Sequence, residues 1–106
     1  MAKDKNKKGQ TKIKKDEFRH SKKIKHPGYV FVQIGDEMQY LGVTHAKITK
    51  GIKNIPLDQN PNPKDLNKSY IVPKVESDDK EKLGKPKKGW NLSAEDKKKI
   101  KHLTHK

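Results

Sequence analysis

Residues 29–43, YVFVQIGDEMQYLGV, decide the fold. The stretch YVFVQI (29–34) concentrates β-branched and aromatic side chains, which suit a pleated, half-buried strand. After Gly35, Asp36 and Glu37 the chain returns as MQYLGV (38–43), so the two runs form a β-hairpin with a short glycine-containing loop. Alternation puts Val30, Val32 and Ile34 on one face and Tyr29, Phe31 and Gln33 on the other. On the second strand Met38 and Tyr40 oppose Leu41 and Val43. Two arrangements follow from a strand that is apolar on both faces. Either the sheet is covered on two sides, or Tyr29, Phe31 and Tyr40 make an aromatic face left open for a ligand.

Working outward, THAKITKGIK (44–53) reads as one short helix or turn, with Thr44 as its cap and Ile48 and Ile52 at i and i+4. QNPNPKD (59–65) holds two Asn-Pro pairs, which forbid continuous helix and fix an extended, turn-forming loop. SYIVPKV (69–75) is a third strand, in which Pro73 removes a backbone donor and marks a sheet edge or a strand end. Residues 76–91, ESDDKEKLGKPKKGWN, are charged and broken by Gly and Pro, and so read as a linker. Ser93, Glu95 and Asp96 suit a helix N-terminus, and Ile100 and Leu103 share a face with which that helix docks on the sheet.

In the other direction the chain turns polar at once. Residues 1–18 hold Ile13 and Phe18 as their only substantial apolar groups, and the chain to residue 25 reads as a disordered basic arm. The expected domains are therefore a basic arm over 1–25, a β-rich core over 26–75, a charged linker over 76–91 and a C-terminal helix over 92–106. The fold class is α+β, a small antiparallel sheet of three or four strands with a central β-hairpin and a C-terminal helix. An SH3-like small β-barrel is the alternative.

Net charge is +14 in 106 residues, and it is unevenly laid out. A near-neutral centre lies between two cationic flanks, the pattern expected of a protein that meets a polyanion. Solubility alone is served by a net charge magnitude of about 2–8. Arg19 is the only arginine among the 27 cations. Lysine is a hydrated point charge suited to phosphate, whereas arginine makes the bidentate contacts that read guanine. Cysteine is absent, which excludes a disulfide scaffold and a thiolate-zinc site and fits an intracellular protein. With no run of roughly 20 apolar residues and no secretory signal, a cytoplasmic location and no membrane partner are expected. No metal or cofactor is expected either, because the five histidines lack the paired spacing of a zinc site.

RNA or DNA is thus the expected partner, held by Lys14, Lys15, Arg19, Lys22, Lys23, Lys25, Lys87 and Lys88, with Tyr29, Phe31 and Tyr40 stacking bases if their face is open. A metal-independent endoribonuclease is the alternative. His26 stands at the start of the first strand and His45 follows the second, so hairpin geometry sets those ends side by side. The histidines suit both proton transfers of RNA cleavage, with lysines and Tyr70 to supply the rest of the transition-state stabilisation. A third reading is a protein-interaction module that offers its hairpin edge.

The order HSKKIKHPGY, GVTH, NIPLDQNPNPKD and SYIVPKV, across about residues 19–75, resembles a group of small, lysine-rich, uncharacterised proteins of low-GC Gram-positive bacteria and their mobile elements. The resemblance implies no established activity. In outline, a basic sheet protein with His, Lys and Tyr near strand ends is also similar to barnase/RelE-type ribonuclease toxins. It departs from them in its near-absence of arginine.

Overall fold

The chain reverses where the hairpin reading places the turn. The structure, a computed structural model, describes residues 11–104. Strand β2 (His26–Ile34) and strand β3 (Glu37–Thr44) are joined by Gly35 and Asp36 alone. Gly35 takes φ 61°, a left-handed position in a two-residue turn that glycine adopts without a Cβ clash.

Around this hairpin the sheet is wider than its apolar content suggests. Strand β1 (Lys12–Ser21) lies antiparallel along β2, with Phe18 opposite Tyr29 and Ser21 opposite His26. Two-residue strands follow β3: β4 (Ile48–Thr49) and β5 (Ile52–Lys53), which pair with each other, and β6 (Ile55–Pro56). Strand β7 (Tyr70–Asp79) pairs with β3, and β6 adds to its far side. The main sheet runs β1-β2-β3-β7-β6. A 3-10 turn (Lys80–Lys82) and two short helices, α1 (Ala94–Lys99) and α2 (Lys101–Thr104), complete the α+β fold.

Two expected boundaries are corrected. Lys12–Ser21 are a strand rather than part of an arm; the remainder of that expectation, residues 1–10, lies outside the described residues. β1 turns Phe18 (1% exposed) and Ser21 (0%) inward and leaves Lys12 and Lys14 in solvent. An edge strand needs few apolar residues, and lysines along it discourage pairing with other chains. The presumed linker is equally engaged. Glu76 through Asp79 continue β7, opposite β3 from Tyr40 to Glu37. Leu83 then bridges to Ser21, Gly84 N–H donates to the His20 carbonyl (3.0 Å), and Lys87 N–H donates to that of Phe18 (2.8 Å). The stretch 83–87 therefore covers part of the outer edge of β1.

The sheet is covered on both faces. Phe18, Tyr29, Phe31, Leu41, Ile71 and Leu57 pack beneath Leu92 and Ile100 of the C-terminal segment. On the other face Val30, Met38, Tyr40 and Leu83 form a smaller cluster with Ile24. Strict alternation fails at a register shift between Val30 and Val32, where β2 bulges against β3. Val32 thereby joins the Tyr29 and Phe31 cluster instead of following Val30. Tyr29 and Phe31 thus lie on one face and Tyr40 on the other, all of them buried. Of the two arrangements open to a strand apolar on both faces, the sheet covered on two sides is the one formed and the open aromatic face is not.

Tyr40 is held at both ends. Its hydroxyl donates to Asp78 Oδ2 (2.7 Å) and accepts from Ser21 Oγ (2.8 Å). Burial and the Asp78 carboxylate push its pKa well above the ordinary tyrosine range. Its ring rests on Gly28, where an added Cβ would stand 2.5 Å from Tyr40 Cδ2. Gly28→Ala is expected to cost about 1–3 kcal/mol, since overpacking forces a buried side chain from its rotamer. A urea unfolding curve measures that loss.

Candidate nucleic-acid interface

The Tyr40 face carries a groove of about 480 Å³. Its floor begins at Gly42 on β3 and Val72 on β7, with Ile24 reaching over from the turn after β1. It opens where β3 and β7 slip in register. Leu41 pairs with Val75 but Val43 with Ile71, so residues 72–74 of β7 stand opposite Gly42 alone. Pro73, which has no N–H to offer the ladder, sits in this bulge rather than at a strand end.

The opposite wall is the β4–β5 hairpin, where the sequence suggested a short helix. Ile48, Thr49 and Ile52 are β-branched, and Lys50 (φ 49°) with Gly51 (φ 80°) makes a turn with both central residues left-handed. That geometry belongs to two-residue β-hairpins and excludes helix. Lys-Gly in place of the usual Asn-Gly hid the signal. Thr49 and Ile52, a cross-strand pair, both face the groove. Buried Asn54 braces the hairpin: its Nδ2 donates to the Ala46 carbonyl (3.0 Å) and Thr49 Oγ1 (2.7 Å), and its N–H to the Lys47 carbonyl (2.8 Å). Asn54 was not anticipated as a positioning residue.

Charge lines both rims. Lys23, His26 and Lys74 stand on the sheet side and Lys50 on the hairpin. Glu76 is the facing carboxylate, 3.2 Å from Lys23 Nζ and 3.7 Å from Lys74 Nζ. Lys50 reaches no carboxylate among the described residues. Lys22 and Lys25 are exposed on the same turn as Lys23. Lys14 and Lys15 flank a second depression, of about 420 Å³, over Tyr29 and Phe31 on the other face. Lys88 is exposed, whereas Lys87 lies over the Trp90 ring, 5.0 Å from its centroid.

Several expected site residues are otherwise engaged. Arg19 is no free phosphate ligand: Nε donates to Glu17 and Nη1 to the Gly84 carbonyl (3.0 Å). Tyr29 donates its hydroxyl to Asp16 Oδ1 (2.9 Å). The acid–base set does not assemble. Thr44 faces the groove with His26, while His45, the next residue, is drawn to Asp65, with Nε2 and Oδ2 2.7 Å apart. Successive side chains leave a strand on opposite sides, which separates His45 from His26. Tyr70 is buried in β7, paired with Thr44 on one side and Pro56 on the other. The Asn67 N–H, and then His45, hold the Asp65 carboxyl down at about 2. Asn60 Oδ1 caps the N–H of Asn62 (2.9 Å) and Asn62 Oδ1 that of Lys64 (3.0 Å), so these asparagines stiffen their loop.

No helix among the described residues is long and apolar enough to cross a membrane. Searches of family descriptions, curated proteins and solved structures find no match to this chain.

Proposed function

We propose that this protein binds nucleic acid through its phosphates, with weak sequence preference. The carrying observation is the division of labour among its cations. The single arginine is tied to Glu17 and Gly84, while Lys22, Lys25, Lys50 and Lys88 stay exposed with no carboxylate partner among the described residues. Point charges in solvent attract phosphate, and a guanidinium turned inward reads no base edge. Burial of Tyr29, Phe31 and Tyr40 removes base stacking on those rings from the account. Attraction of phosphate by the exposed lysines does not depend on those rings.

Affinity for a mixed-sequence oligonucleotide is expected to fall steeply with salt. For about four phosphate contacts, raising salt from about 50 to 200 mM weakens binding about 50-fold on a single strand and about 150-fold on a duplex. Fluorescence anisotropy measures this directly. An affinity that hardly moves over that range contradicts phosphate-directed binding.

A further inference from the structure

The groove has a composition that a phosphate-binding surface alone does not need. Its floor is apolar, with Ile24 and Val72 around Gly42, Ile52 faces it from the hairpin wall, and its cations stand at the rims. A duplex turns its bases inward and offers mainly phosphates, leaving such a floor without a partner. A single strand offers phosphates to the rims and an unpaired base or sugar face to the floor. A second observation concerns the two turns beside the groove. Among the described residues the non-glycine residues with positive φ are Lys25 (59°) and Lys50 (49°). Left-handed backbone favours Gly, Asn or Asp, and lysine there is strained. Both strained residues are cationic. One lies in the turn that carries Lys23 and Ile24, the other at the tip of the β4–β5 hairpin. Charge at those tips accounts for lysine where asparagine would sit more easily.

From this combination we infer that the groove between the β4–β5 hairpin and the β3–β7 bulge is a binding site for single-stranded nucleic acid, with Lys23, Lys50 and Lys74 on its phosphates. The inference rests on the nucleic-acid reading above and specifies its ligand. Glu76 opposes the ligand and tethers two of these lysines, which limits affinity.

Anisotropy on the full chain, with a labelled 12-nucleotide strand and the 12-base-pair duplex of the same sequence, each as RNA and as DNA, tests it. The single strand is expected to bind about tenfold more tightly, a difference of about 1.4 kcal/mol. Lys50→Asn relieves the turn, so the melting temperature holds or rises while the salt slope drops by about 0.7, one phosphate contact on a single strand. Glu76→Gln tightens binding. Duplex binding as tight as single-strand binding, an unchanged slope in Lys50→Asn, or equal displacement by polyglutamate overturns the inference. Salt-sensitive binding that ignores these groove variants leaves the broader nucleic-acid reading intact. No binding to any oligonucleotide removes both.

Discussion

Phe18→Ala is expected to destabilise the protein by about 3–5 kcal/mol, the usual cost of deleting a buried aromatic ring. Phe18 is 1% exposed, and its ring lies 5.2 Å from that of Tyr29 and 5.7 Å from that of Trp90. Removing it opens a cavity where β1, β2 and the C-terminal segment meet. Domains of this size have about 5–15 kcal/mol in hand, so the variant retains little margin. Trp90 is the only tryptophan, and its fluorescence reports the same event by shifting red as water reaches the ring. Phe18→Leu fills much of the space and loses less. A change below about 1 kcal/mol in Phe18→Ala, the range of surface substitutions, would show that β1 does not pack as described.

Asp96→Ala is expected to be the next most damaging change, at about 2–3 kcal/mol. Asp96 is wholly buried. Its Oδ1 accepts from the Asp58 N–H (2.8 Å) and its Oδ2 from the Gln59 N–H (3.2 Å), with Lys99 Nζ 3.5 Å away. This carboxylate ties α1 to the chain leaving β6. Hydrogen bonds to an ionised group contribute about 1.5–3 kcal/mol, and truncation also strands two donors. Asp96→Asn keeps one acceptor and loses about half as much. Ser93, whose Oγ accepts from the Asp96 N–H (3.1 Å), caps the helix, an interaction worth about 1 kcal/mol. Amide hydrogen exchange gives the local readout: Asp58 and Gln59 exchange rapidly in Asp96→Ala while the β2–β3 amides stay protected. Uniform loss of protection at unchanged global stability would contradict the clamp.

The central hairpin was legible because its residues satisfy strand propensity and turn chemistry together. β7 was legible only to Val75. Its last four residues are charged or polar, yet Asp78 receives the Tyr40 hydroxyl and Glu76 the rim lysines. Lys23 and Tyr40 are distant in sequence from the carboxylates they meet, which composition cannot reveal, while Asp79 caps the 3-10 turn through the Glu81 N–H. β1 was hidden for a related reason: one phenylalanine suffices for an edge strand, and lysine density resembles a solvated arm. The Val30–Val32 bulge defeated the face assignment, because one extra residue reverses alternation beyond it. His26 was placed correctly at the start of its strand. The meeting with His45 failed on strand parity, and Asp65 lies 20 residues from the histidine it holds. Asp96 was read as a helix-start acid. Its deeper role depends on a loop nearly 40 residues earlier in the chain.

The central claim, that lysines around the β4–β5 hairpin and the β3–β7 bulge receive nucleic-acid phosphates, is tested most directly by chemical-shift mapping. A short single-stranded oligonucleotide is titrated into the isotope-labelled full chain while backbone amides are followed. The largest saturable shifts are expected at Lys23, Gly42, Lys50 and Lys74, with small changes along β1 before Ser21 and in α1. Shifts confined to residues 1–10, or to Lys12, Lys14 and Lys15 on the opposite face, with Gly42 and Lys50 unmoved, would contradict the claim.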